Sequence, residues 1–182
     1  MLYLIPNAFG VAAVLLMFAV YTQKNPHRML GIKIAVDVCW ILYFFFYSVL
    51  GLAPLWAGCL LSVISVGREY IFFQSDKKWA QSSWWIVFFI AISWISVLAS
   101  WQGSICLLSA ISTTCNILSM SSPTVKRARF WGVPTYILWA IYSWVCGGYI
   151  AAFSGLVAIA SIVVGTAKDF FRRNTCPCHA KH

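Results

Sequence analysis

Asp37 lies in the run IAVDVCWILYFFFYSVL, about seven residues from the polar segment before it, or roughly 10 Å along a helix. A carboxylate that deep in an apolar segment is costly unless it faces a partner or a wet cavity, which makes it a functional candidate. Lys33 stands four residues earlier on the same helical face, where an ion pair neutralises both groups. Such a pair is either structural, or it serves a cation or couples a proton to transport. Asn116 and Asn7 are amides inside apolar runs, able to hydrogen-bond a polar solute or to tie helices together. Trp40 and Trp139 offer walls on which a ring stacks, or simply pack against lipid. Lys33, Asp37, Trp40, Asn116 and Trp139 are therefore the candidate substrate- or ion-binding residues. The tail CPCHAKH gathers Cys176, Cys178, His179 and His182, but four soft ligands at a chain end do not by themselves make a site. No metal or other cofactor is expected. The other five cysteines lie singly in apolar runs and predict no disulfide.

Catalytic signatures are absent. The chain has no HExxH, no GxSxG and no paired acidic residues within one apolar run. Its three histidines lie outside the apolar runs, which argues against a His-ligated buried haem. Lys168 sits at the end of the last run rather than deep within it, which argues against a bound retinal. The chain reads as no enzyme.

The elements that must position these residues follow from composition and charge. A chain of 182 residues that is 62% hydrophobic and 9% charged cannot cover a soluble globule with polar groups. It reads as an integral membrane protein whose main partner is the lipid bilayer. Apolar stretches predict seven spans, at about 2–22, 30–50, 55–73, 82–100, 104–121, 130–146 and 149–171. The first reads as a retained span, because MLYLIPNAFG has no basic leader and no clear cleavage site. Span three exits through Arg68, Glu69 and the QSDKK run. All thirteen Lys and Arg residues fall in four clusters around the ends of spans one, three, five and seven, whereas the connections after spans two, four and six carry none. By the positive-inside rule this predicts an external N-terminus and a cytosolic C-terminus. The same rule accounts for the net charge of +9, so no nucleic-acid partner is implied.

Internal similarity refines the layout. Gly67, Phe72 and Phe73 end span three as Gly165, Phe170 and Phe171 end span seven; Arg28, Gly31, Trp40 and Tyr43 correspond to Arg129, Gly132, Trp139 and Tyr142, and Gly58 to Gly155. A duplicated three-span unit needs one extra crossing to keep both copies in the same orientation. The expected fold is thus all-α, seven transmembrane helices arranged three plus one plus three. Its parts are residues 1–78, a linker span over 79–102, residues 103–173, and a tail at 174–182. Gly147, Ala151 and Gly155 add a smooth face on span seven for close helix packing.

The runs AVDVCWILYFFFYSVLGLAPLWAG from Ala35, SVGREYIFFQSDKKWA from Ser65 and SSPTVKRARFWGVPTYILWAIYSWVCGGYIAAFSG from Ser121 resemble the YgjV family of bacterial inner-membrane proteins, over about Gly10 to Arg173. That family looks related to the sugar-efflux and PQ-loop transporters, with a similar three-plus-one-plus-three layout. This sequence has no Pro-Gln dipeptide, so the hinge that names the PQ-loop proteins does not carry over. The resemblance implies a transporter-like protein of the cytoplasmic membrane, moving a small polar solute between two bundles and open to homo-oligomerisation. The alternative is a non-transporting scaffold or accessory subunit, with a vitamin-precursor carrier as a third reading. A polar cavity lined by Asp37 and Asn116 favours transport, and a dry, sealed interface favours the scaffold.

Overall fold

Where Asn25 meets Pro26 the chain changes direction. The Asn25 side chain accepts a hydrogen bond from the His27 amide at 2.8 Å, and Pro26 takes the first helical position, where its missing N–H costs nothing. Sequence reading treats Pro26 as the stop of span one. The structure instead ends the first helix at Val20 and uses Pro26 to begin the second. Thr124 caps the sixth helix similarly, accepting from the Arg127 amide.

The computed structural model describes residues 4–51, 55–74, 77–80, 82–101 and 103–175. The described residues form seven α-helices and no strand: α1 (Leu4–Val20), α2 (Pro26–Val49), α3 (Trp56–Phe73), α4 (Trp84–Ala99), α5 (Cys106–Met120), α6 (Val125–Val145) and α7 (Tyr149–Thr175). Each helix packs on its neighbours in sequence, and α1 closes the ring against α7. Short connections make neighbours antiparallel. The α1–α2, α3–α4 and α5–α6 connections therefore share one end, the basic end, where Lys24, Arg28, Lys77, Lys78, Lys126 and Arg127 are all exposed. At the opposite end the chain turns on Gly51, Gly103 and Gly147, all with positive φ, a backbone region costly for any side chain.

Polarity is inverted relative to a water-soluble bundle. Leu15, Trp84, Phe130, Phe153 and Phe171 are exposed, while Lys33, Asp37, Arg68, Glu69 and Arg129 are buried. A protein whose outer solvent is hydrocarbon sorts its side chains in this way. Helix α4 shows it most simply, burying Phe89, Ser93 and Val97 at every fourth position and exposing Trp84, Val87, Phe88, Ile95 and Leu98.

Helix lengths differ from the seven full spans expected. Among the described residues, two helices are long and apolar enough to cross a membrane by themselves: Pro26–Val49, mean hydropathy 1.9, and Tyr149–Phe171, mean hydropathy 2.1. The capping and turning residues take up the ends of the apolar runs, leaving α4 and α5 with 16 and 15 residues, short of the roughly 20 that a span needs. Helix α3 has 18 residues but includes Arg68 and Glu69.

Candidate functional site

Lys33, Asp37 and Trp40 recur at the i, i+4, i+7 spacing that puts them on one stripe of α2, and that stripe faces the interior. Lys33 Nζ donates to Asp37 Oδ1 along the helix and reaches Glu69 Oε1 on α3 at 3.4 Å. Glu69 Oε1 also accepts from Arg68 Nη2 at 3.0 Å, and the same Nη2 donates to Asn116 Oδ1 on α5 at 3.0 Å. Two cations and two carboxylates thus form one chain from α2 through α3 to α5. Side-chain exposure is 4% for Lys33, 6% for Asp37, 1% for Arg68 and 0% for Glu69. With equal numbers of each sign the cluster is neutral, which is what makes four ionic groups tolerable out of water. Asp37 Oδ2, Glu69 Oε2 and Arg68 Nε are buried without a hydrogen-bond partner.

Beside this chain lies a cavity of about 60 Å³. A buried water needs roughly 10–15 Å³ of such space, so the cavity holds about four waters or a solute of comparable size. All five residues singled out from the sequence line it: Lys33, Asp37, Trp40, Asn116 and Trp139. Ser62 and Ser65 from α3, Thr113 from α5, Thr135 and Tyr136 from α6 and Ser154 from α7 complete a largely hydroxyl-bearing wall. Helices α1, α2, α3, α5, α6 and α7 all contribute, whereas none of the lining residues belongs to α4.

Toward the basic end the cavity leads into a hydroxyl cluster. Tyr136, on its wall, accepts from Tyr21 Oη at 3.4 Å, and Tyr21 Oη lies 3.3 Å from Ser119 Oγ. The Tyr21 carbonyl, left free by the end of α1, accepts from Arg129 Nε and Nη2 at 3.2 and 3.0 Å. Arg129 Nη1 then pairs with Asp169 Oδ2 at 2.6 Å, so one guanidinium joins α1, α6 and α7. A cationic side chain on a helix C-terminus satisfies the last carbonyls and the helix dipole together.

Several of these roles depart from the sequence reading. The basic residues other than Lys33 are expected there to report topology alone, yet Arg68 and Arg129 are also buried and bonded. Arg68 and Glu69 are expected at the exit of span three; they lie inside α3, and Glu69 joins Asp37 as a second deeply buried carboxylate. No local signal marks them, because the adjacent charges and the QSDKK run shortly after read as the polar exit of a helix. Asn7 takes the tying role, accepting from Tyr47 Oη at 3.0 Å between α1 and α2. Of the expected smooth face, Ala151 is buried and Gly155 of α7 packs against Ala140 and the Tyr136 carbonyl of α6, whereas Gly147 lies in the turn before α7, where a Cβ would meet nothing within 4 Å. Cys176, Cys178, His179 and His182 lie outside the described residues.

The model of one protein family, Imp-YgjV, described as bacterial inner membrane protein, matches residues 4–173. No curated protein and no solved structure matches the chain.

Proposed function

We propose, from the premise that this chain belongs to the Imp-YgjV family of bacterial inner membrane proteins, that it carries a small polar solute across the cytoplasmic membrane. The carrying observation is the polar cavity in which Lys33, Asp37, Trp40, Asn116 and Trp139 meet. In this reading α1–α3 and α5–α7 are two parallel three-helix repeats and α4 is the linker that keeps them in the same orientation. The absence of α4 from the cavity wall supports that division, and the hydroxyl-lined interior favours a carrier over a dry scaffold. The N-terminus is then external and the basic end cytosolic.

Charge balance narrows the solute. Because the four-group chain is already neutral, a lone ion entering beside it leaves a net charge in a low-dielectric site, which is expensive. An uncharged or zwitterionic solute of about four heavy atoms fits the space without opening it further. Asp37 Oδ2 is a buried acceptor with no protein partner, on a residue that lines the cavity, and it anchors such a solute by accepting its hydrogen bond.

Purified protein reconstituted in liposomes tests this by stopped-flow light scattering with urea, glycerol, glycine and methylammonium chloride. The neutral and zwitterionic solutes are expected to enter faster than in protein-free liposomes, and methylammonium is not. Asp37→Asn is expected to slow entry by about tenfold, the effect of one hydrogen bond to a charged group. Entry at the protein-free rate for every solute, with protein that remains monodisperse, removes the carrier reading and leaves the scaffold.

A further inference from the structure

A second cavity lies at the basic end. It is a cleft of about 570 Å³ whose wall includes His27, Leu30, Phe72, Ser82 and Met120, within the roughly 300–1,000 Å³ range of small-molecule sites. Its floor and the floor of the central cavity are built from the same faces of the same three helices. Leu30 on α2 precedes Lys33 by three residues, Met120 on α5 follows Asn116 by four, and Phe72 on α3 follows Ser65 by seven. On α2 and α5 one helical turn, about 5.4 Å, separates the two spaces, and on α3 a second turn, which carries Arg68 and Glu69, lies between them.

That turn holds the charged chain. Arg68 and Glu69 belong to α3 and Asn116 to α5, and the Arg68 Nη2 to Asn116 Oδ1 bond is the polar link across the partition between these helices. We infer that the cleft is the inner vestibule of the solute path and that the Arg68–Asn116 bond is the latch closing it from the central cavity. This rests on the carrier reading above. Breaking the latch frees α5 to part from α3 while Lys33, Asp37, Arg68 and Glu69 stay together on α2 and α3, so opening leaves no charge unpaired: Arg68 keeps Glu69 and gains the water of the vestibule.

The test reads accessibility rather than flux, so it stands apart from the fate of the carrier reading. In a full-length background with the seven native cysteines replaced, Ser82→Cys marks the vestibule and Ser65→Cys marks the central cavity. An impermeant maleimide is applied from the vesicle face that labels Ser82→Cys. With Asn116 intact, Ser65→Cys is expected to label slowly. Asn116→Ala is expected to speed its labelling by about tenfold, the effect of losing one hydrogen bond to a charged group. Asn116→Gln keeps an uncharged acceptor for Arg68 and is expected to leave labelling slow. Equal Ser65→Cys rates in all three proteins overturn the latch. So do equal, fast rates in both variants, which would report general loosening; retained Ser82→Cys labelling and a monodisperse elution profile identify folded protein in each case.

Discussion

Lys33 holds two carboxylates at once, Asp37 on its own helix and Glu69 on the next. Removing it strands two negative charges beside Arg68 alone, and truncating one partner of a buried ionic set costs about 3–5 kcal/mol. Lys33→Met is thus expected to lower the thermal midpoint in detergent by roughly 6 °C or more. Lys33→Met combined with Asp37→Leu, which restores neutrality, is expected to recover most of that loss. Equal losses in the single and double variants, followed by intrinsic tryptophan fluorescence, would contradict the charge-balance account. Asp37 was legible because a lone acid in a long apolar run has no local explanation. Glu69 was hidden for the opposite reason: Arg68 beside it and the QSDKK segment shortly after it look like the polar exit of a helix. Only three-dimensional packing turns that pair inward.

Helix contacts depend on missing side chains. A Cβ at Gly155 would lie 2.9 Å from both Ala140 Cβ and the Tyr136 carbonyl, and one at Gly165 would strike the Tyr21 carbonyl and the Arg129 guanidinium. Overpacking of this kind costs about 1–3 kcal/mol. Gly155→Ala and Gly165→Ala are expected to lower the thermal midpoint, the second also loosening the Arg129 link between α1, α6 and α7. Gly67→Ala is the internal control, since a Cβ there meets nothing within 4 Å and alanine favours a helix by about 1 kcal/mol. A drop at Gly67→Ala matching the other two would show that helix packing is not what the assay reads. The small-residue spacing made the α6–α7 contact readable in the sequence. The helix ends were not, because hydropathy continues through residues that caps and turns remove from the helix, as at Tyr21 and Thr22.

For the whole molecule, the order and number of helices followed from alternating apolar runs and basic connections, since both reflect the same contrast between hydrocarbon and water. The ring closure of α1 on α7 did not, because no local pattern encodes which distant faces meet. The orientation is an expectation with a direct check: alkaline phosphatase fused after His182 is expected to be inactive, as a cytosolic C-terminus requires. An active fusion reverses the proposed topology and places the vestibule outside the cell. Helices α4 and α5, at 16 and 15 residues, extend only about 24 and 23 Å against a hydrocarbon thickness of about 30 Å. They are neighbours in the ring, so the shortfall is concentrated on one flank of the protein. In the proposed seven-span topology, lipid along that flank must thin to meet it, at a fraction of a kcal/mol for each ångström of mismatch. That topology therefore predicts an asymmetric dimple in the bilayer and a preference for thin membrane regions, with the α4–α5 side as the determinant.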